Sequence, residues 1–300
     1  MKQTMLEPPD ALTSYVESFW TIECDNEATT VTIEIFANGG SGIVFQHHDG
    51  DSAFGPMITW SRCRHSFRSE ALPTSFVYGT RTKPAQITAK GPFALTGVRF
   101  RPQTLSALLH IHPAQLTDAA VDLNELSSES VAERLLSAGS QQERLALLNQ
   151  FLRGHVDRAQ PEDVLVATSL RLIRRRIRAI RVHDLLTFLN VSERQFERRF
   201  VQAIGVSPHQ YIRIMRFQEA VRLMKARQFE RLSDVAYDLN YVDQSHLIKD
   251  IKAFSGHTPT NLSRSLPGVR RPDELFSAHD RRFAAVASAA RMSPNSPASL

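Results

Sequence analysis

Val182-His-Asp-Leu-Leu-Thr-Phe-Leu-Asn190, then Val191-Ser-Glu-Arg-Gln-Phe-Glu-Arg-Arg-Phe200, then Gly205-Val-Ser-Pro208 is a stretch that this chain writes twice. The second copy reads Leu232-Ser-Asp-Val-Ala-Tyr-Asp-Leu-Asn240, Tyr241-Val-Asp-Gln-Ser-His-Leu-Ile-Lys-Asp-Ile251 and Gly256-His-Thr-Pro259. The Leu-Asn pair recurs fifty residues on (239 against 189), and the Gly-x-[Ser/Thr]-Pro element fifty-one residues on (256 against 205), so the second copy has one extra residue in its turn. Each copy has the pattern of two short helices around a tight turn. Leu185, Leu186 and Leu189 make an apolar face in the first copy, as do Val235, Ala236 and Leu239 in the second. Asn190 and Asn240 end these helices, because asparagine tolerates the left-handed conformation. Ser192 and Asp243 supply a side-chain oxygen to cap the next helix. Phe196 and Phe200, like Leu247 and Ile251, stand four apart and share one buried face. Gly205 and Gly256 stop the second helices, and the following prolines start new ones.

That spacing leaves Arg194, Gln195, Glu197, Arg198 and Arg199 on the exposed face of the first second-position helix, beside the cap Ser192. Gln244, Ser245, Ile248, Lys249 and Lys252 take the matching positions in the repeat. A helix fits the DNA major groove, and Arg, Lys, Gln and Ser side chains read base edges there. Glu197 suits acceptance from cytosine N4, or equally the steadying of Arg194 or Arg198.

The surrounding chain agrees with a two-part organisation. Residues 1–160 carry 13 Lys and Arg against 17 Asp and Glu, residues 161–262 carry 17 against 11, and residues 263–300 carry 6 against 3. The basic second half points to a polyanionic partner. The first hundred residues read as short strands: 19–22, 30–36, 43–45, 76–78 and 94–100, separated by turn chemistry such as Asn38-Gly39-Gly40-Ser41-Gly42. Helical spacing begins after Pro102, over Thr104 to His110, Leu126 to Ala138 and Gln141 to His155. The expected architecture is α+β and multidomain: a β-rich, barrel- or sandwich-like domain with a helical end over 1–158, an all-α domain with two helix-turn-helix units over 159–262, and a basic, largely disordered tail over 263–300. No apolar stretch approaches the ~18 residues of a membrane span. The N-terminus lacks the apolar segment of a secretory signal, so the expectation is no membrane and a cytoplasmic, nucleoid-associated protein. Cys24 and Cys63 have no zinc-type spacing and read as reduced thiols.

Residues from about Leu170 to Leu262 resemble the AraC/XylS family of transcription regulators. The shared marks are Ser-x-x-x-Phe-x-Arg-x-Phe ending at Phe200, Gly-x-Ser-Pro-x-x-Tyr ending at Tyr211, Arg216-Phe217-x-x-Ala220, Asp243-x-Ser245-x-x-x-Lys249 and Gly256-x-Thr-Pro259. The resemblance implies a long helix, about Pro208 to Lys225, joining the two units. It implies two recognition helices in successive major-groove segments of promoter DNA, one helical turn or ~10 bp apart. It further implies a homodimer through the N-terminal half and contact with RNA polymerase if the protein activates; no cofactor is expected. Asn240, Leu247, Ile251 and Lys249 stand where the family usually has Gly, Phe, Phe and Arg. Lysine lacks the bidentate fork, which shifts the second unit toward backbone contacts.

The N-terminal half resembles a poorly characterised, cupin-like sensing or dimerisation domain, through Phe36-Ala-Asn38-Gly39-Gly40 and Gly97-Val-Arg99-Phe-Arg101-Pro102. Arg99 and Arg101 share one strand face and suit either a small anionic effector or ordinary ion pairs. His47, His48, Asp49 and His65 suit a metal by residue type, though the His-x-His pattern of metal cupins is missing; a polar hairpin end is the other reading. Trp20, Trp60 and Tyr78 suit a core or a ligand cage. Arg171, Arg174, Arg175, Arg176, Arg178 and Arg181 form either a solvated face or a phosphate-tracking one. No Gly-rich phosphate loop, Gly-x-Ser-x-Gly or His-Glu-x-x-His occurs, and Cys63 lacks the Pro-Cys-His setting of a repair methyltransferase. The expectation is a regulator rather than an enzyme, with a metal-dependent cupin-type enzyme fused to a DNA-binding unit as the alternative.

Overall fold

The computed structural model describes residues 2–25, 30–47, 52–61, 66–126, 131–226, 229 and 231–265. Ten strands fill the first part: β1 (Lys2–Leu6), β2 (Val16–Cys24), β3 (Thr30–Ile35), β4 (Gly42–His47), β5 (Met57–Ser61), β6 (Ser66–Glu70), β7 (Ser75–Tyr78), β8 (Ala85–Lys90), β9 (Phe93–Phe100) and β10 (Ala120–Asp122). They form two antiparallel sheets, ordered β1-β2-β9-β4-β7-β10 and β3-β8-β5-β6.

The inner strands of the larger sheet, β2, β9, β4 and β7, are largely buried on both faces, which explains why they read as nearly continuous apolar runs rather than alternating ones. Trp20, Ile22, Val44, Phe76 and Leu95 face the smaller sheet and meet Ile33, Met57, Ala85, Ile87 and Ala89. The opposite parity, Phe19, Ile43, Phe45, Val77, Val98 and Phe100, packs under helices. Those helices are α1 (Thr104–Ala107), α2 (Val131–Ser137) and α3 (Gln141–Val156), which contribute Leu105, Leu135, Leu148 and Leu152. The expected helix over Thr104 to His110 is shorter than its spacing suggests, since His110 takes a positive φ of 56° and breaks it. The expected helix from Leu126 starts at Val131, and residues 127–130 lie outside the described ones. Strands β1, β5, β6, β8 and β10 go beyond the strands expected from sequence. β1 is exposed along its length, so it has no alternation to read, and β8 marks its inner face chiefly with Ala85 and Ala89.

Beyond α3 the chain is helical: α4 (Val164–Arg175), α5 (Val182–Leu189), α6 (Glu193–Ile204), α7 (Pro208–Lys225), α8 (Leu232–Asp238), α9 (Gln244–Ser255) and α10 (Pro259–Ser265). The tail from residue 266 onward lies outside the described residues. No helix among the described residues is long and apolar enough to cross a membrane.

Candidate nucleic-acid interface

Each repeat folds as its chemistry directs. Asn190 (φ 49°) and Asn240 (φ 54°) take the left-handed conformation after α5 and α8. Ser192 caps α6 by accepting from the Gln195 N–H at 3.4 Å, and Asp243 caps α9 by accepting from the His246 N–H at 2.8 Å. Gly205 (φ 91°) and Gly256 (φ 77°) close α6 and α9 in a backbone conformation that disfavours any residue with a Cβ. Ser207 caps α7 with Pro208 in its first turn.

Two separate cores carry the units. In the first, Phe196, Phe200 and Leu185 are fully buried, and Phe200 stands edge-on to Phe196 (5.6 Å between centroids) and Tyr211 (5.5 Å). In the second, Leu247, Ile251, Leu239 and Phe217 are fully buried, with Phe254 5.5 Å from Phe217. Leu and Ile suffice in this core because Phe217 and Phe254 supply aromatic volume from α7 and the end of α9.

Burial of those faces turns the others outward. Ser192, Arg194, Gln195, Glu197 and Arg198 are exposed on α6, as are Gln244, Ser245, Lys249 and Lys252 on α9. Among the described residues, none makes an ion pair with Arg194, Arg198, Lys249 or Lys252, and Glu197 pairs with neither arginine beside it. Ile248 is half-buried. Arg199 departs from the sequence expectation. It turns away from the exposed face and grips Asp163, the N-cap of α4, through Nε–Oδ2 and Nη2–Oδ1 bonds of 2.7 Å each. Burial alone would raise the Asp163 pKa, but the Arg199 hydrogen bonds and the α4 backbone donors hold it below the usual carboxylate value.

Side chains that set the units against each other lie outside the recognition faces. Arg216 on α7 donates to the Ile177 carbonyl (3.2 Å) and to the Ile180 carbonyl, both before α5. Arg178 reaches Glu219 on α7 (3.5 Å) and Asp238 on α8 (3.6 Å). Asn240 donates to the Ala179 carbonyl at 3.4 Å, and Arg213 pairs with the buried Asp250 at 2.5 Å. The loop over 176–181 is thus a junction, which the exposed Arg178 joins through these two ion pairs. Arg171, Arg174, Arg175, Arg176 and Arg181 are likewise exposed.

The repeated Gly-x-[Ser/Thr]-Pro element of each unit rests on the β-rich part. In the first unit, Thr80 donates to the Ile204 carbonyl (3.3 Å) and Thr117 to the Gly205 carbonyl (3.0 Å). In the second, the Ala37 N–H donates to the Phe254 carbonyl (2.9 Å), Gln218 donates to the Ala37 carbonyl, and His257 Nε2 meets Glu34 Oε1 at 2.9 Å. Phe36 enters the second unit's core, with its ring 6.2 Å from Phe217 and 6.0 Å from His257. These partners lie far apart in sequence, and no local spacing announces them.

The other singled-out groups have local explanations. Arg99 bonds Glu17 (2.6 Å) through Nε while its Nη1 is buried without a hydrogen-bond partner, and Arg101 bonds the Thr13 carbonyl (2.6 Å). Trp20 is fully buried in the inter-sheet core, and Cys24 is a buried free thiol. His48, Asp49, Cys63 and His65 and the Trp60 side chain lie outside the described residues. Among the described ones, no three His, Cys, Asp or Glu side chains converge as metal ligands would.

Comparison with known proteins agrees with this geometry. Residues 185–265 match the family described as a helix-turn-helix domain, and residues 4–122 match a domain of unknown function. No curated protein matches the chain. Among solved structures, ToxT from Vibrio cholerae covers 83% of this chain and 99% of its own at 12% identity and a TM-score of 0.44. Unsaturated-fatty-acid-bound ToxT from Vibrio cholerae strain SCE256 covers 85% and 98% at 14% identity and 0.44. The AraC-like transcriptional activator CuxR covers 68% and 76% at 12% identity and 0.25. Likeness this shallow carries no inference about ligand or site. Residues 185–265 of the chain form a helix-turn-helix domain.

Proposed function

We propose that this protein is a sequence-specific, double-stranded-DNA-binding transcription regulator whose helices α6 and α9 enter successive major-groove segments ~10 bp apart. The observation that carries the reading is the pair of exposed helix faces bearing Arg194, Arg198, Lys249 and Lys252 without carboxylate partners among the described residues, displayed by two copies of one frame. A cation kept unpaired on a helix face suits phosphates and base edges. Arg194, Gln195, Arg198, Gln244, Ser245 and Lys249 are assigned to base edges, and Ser192, Lys252 and the exposed arginines of α4 to the phosphates. Residues 1–158 form the domain that responds to a small molecule or to dimerisation, and 159–262 the domain that reads promoter DNA. RNA polymerase is a further partner if the protein activates. The same reading places the protein with the DNA in the cytoplasm.

The grip of the β-rich domain on both repeats supports the coupling. It holds the C-terminal end of each recognition helix, so a change in that domain alters how the two helices lie relative to each other. The enzymatic alternative requires a convergent His/Glu metal set, and metal analysis of the purified protein tests it.

Footprinting on DNA upstream of the protein's own gene and its neighbours tests the reading, with Arg198→Ala and Lys249→Ala alongside. An asymmetric protected site of two groove segments, weakened by both substitutions, is the expected result. Sequence-blind binding alone at moderate salt, across the effector panel described below, sinks it.

A further inference from the structure

Arg81 is buried in the β-rich domain, 6% exposed, with no carboxylate in ion-pair range among the described residues. Its Nη1 donates to the Met57 sulfur at 3.3 Å and its Nη2 to Thr59 Oγ1 at 3.3 Å, while its Nε–H is buried with no partner. A thioether is a weak acceptor, so five donors are served by one hydroxyl and one sulfur. Asp118 and Glu70 are the carboxylates whose fields reach it, but neither forms an ion pair with it. Asp118 is already occupied by the Thr82 N–H (2.7 Å), Thr82 Oγ1 (2.5 Å) and the Lys83 N–H (3.2 Å). Burial pulls the Arg81 pKa down, with those two carboxylates opposing it. A guanidinium desolvated for so little in return is costly to keep in a fold. Other buried or half-buried arginines of this chain have a carboxylate or carbonyl acceptor: Arg99 has Glu17, although its Nη1 is also buried without a partner, Arg199 has Asp163, and Arg144 has the Leu135 and Ala138 carbonyls.

We infer that Arg81 anchors an oxyanion site at the edge of the inter-sheet core, which takes the carboxylate or phosphate end of a small effector. The planar fork of the guanidinium matches two oxygens of such a group, which replace the Met57 sulfur and satisfy Nε. Methionine yields this place readily, because its unbranched side chain repacks at low cost. The inference rests on the proposed ligand-responsive regulator and names the class of ligand.

Its position explains how occupancy reaches DNA. Thr80, one residue before Arg81, holds the Ile204 carbonyl at the end of α6. The Arg81 backbone itself pairs with Asn38 through two 3.0 Å hydrogen bonds. Asn38 follows Ala37, which holds Phe254 at the end of α9. Arg81 therefore stands one residue from the grip on the first unit and, across a β-bridge, one residue from the grip on the second. A pull on its side chain is shared by both.

Thermal unfolding of the full chain tests this with sodium acetate, butyrate, octanoate and phosphate, each against sodium chloride at equal ionic strength. The expected result is a midpoint that rises with the concentration of at least one oxyanion by several degrees at saturation. The carboxylate and phosphate arms decide which source the site prefers. Arg81→Met, of similar length and uncharged, is expected to lose the response. Arg81→Lys, which keeps the charge without the fork, is expected to need at least several-fold more ligand. No oxyanion-dependent rise in the wild-type protein overturns the site, as does an undiminished rise in Arg81→Met. Where neither variant folds, a co-crystal with the most stabilising probe decides: density away from Arg81 overturns the assignment. Footprinting on the same samples separates the two readings. Oxyanion binding without DNA protection leaves the site and sinks the regulator, and DNA protection without any oxyanion response does the reverse.

Discussion

Asp163 and Arg199 are joined fork to fork by two 2.7 Å hydrogen bonds, and the same carboxylate caps α4 by accepting from the Leu165 and Val166 N–H groups. The arginine next to Arg198 in sequence is therefore a structural part of the first unit. Arg198→Ala is expected to leave stability within about 0.5 kcal/mol of wild type and to weaken site-specific binding by about 1–3 kcal/mol. Arg199→Ala is expected to do the opposite: to lower stability by about 1 kcal/mol and to leave the pattern of base preference intact. Thermal unfolding beside a binding assay over single-base variants of the operator separates them. A loss of base preference in Arg199→Ala with unchanged stability reverses the assignment.

The same pair gives a pH dependence. The folded-state pKa of Asp163 lies below its usual value. A depressed carboxylate contributes stability that is fully present above the unfolded value, about 3.9, and is lost as pH falls through the folded one. Asn still caps a helix, so Asp163→Asn isolates the charge. Wild type is expected to exceed Asp163→Asn by about 1 kcal/mol at neutral pH, with the gap closing below about pH 4. Urea unfolding at pH 7, 5 and 3 reads it, and a gap that stays constant to pH 3 removes the charge from the account.

Much of the helical domain is legible in local spacing. The left-handed Asn190 and Asn240, the caps Ser192 and Asp243, and the buried pairs Phe196–Phe200 and Leu247–Ile251 all follow from residues within one turn of each other. Arg199 escapes such a reading because its partner lies 36 residues upstream, and a helical period shows only that it borders the buried face. Arg81 is hidden for the same reason. It reads as one more polar residue in Thr80-Arg81-Thr82, and only the tertiary fold turns its side chain toward Met57 and Thr59. In the β-rich domain the inner strands of the large sheet show themselves through apolar runs, whereas its edge strand β1, exposed on both faces, has no pattern to read.

Salt dependence distinguishes phosphate tracking from solvation at the α4 end. Arg174 and Arg175 are exposed and free of ion pairs among the described residues. If both lie against phosphates, the double substitution to alanine lowers the slope of log K against log salt by about 2, and weakens operator and random DNA alike. An unchanged slope assigns them to solvent.

The two helix-closing glycines are equivalent in sequence but not in the fold. Each has a positive φ, so alanine costs about 1 kcal/mol at either. A Cβ at Gly256 meets nothing nearer than Pro84 Cγ at 3.5 Å, whereas at Gly205 it falls 2.7 Å from the Pro113 carbonyl oxygen and 2.8 Å from its carbon. Gly205→Ala is therefore expected to destabilise by about 1–3 kcal/mol more than Gly256→Ala, and to expose residues 157–163 to limited proteolysis as the first unit separates from the β-rich domain. Equal effects at the two positions show that the Pro113 contact gives way freely.

Phe36 decides whether the β-rich domain is a tether or part of the second unit. It is 1% exposed, yet it follows β3 directly and packs among Phe217, Phe254 and Leu262 rather than within its own sheets. Truncating a buried Phe costs about 3–5 kcal/mol, and here that loss falls on the core under α9. Phe36→Ala is thus expected to speed amide exchange in α8 and α9 while α5 and α6 keep their protection, because the first unit's core contains no residue from the β-rich domain among the described ones. On DNA, the half-site read by α9 loses protection before the half-site read by α6. Exchange that accelerates only within β3 and β8 shows instead that Phe36 serves its own domain, and the coupling then runs through the backbone grip of Ala37 on Phe254 alone.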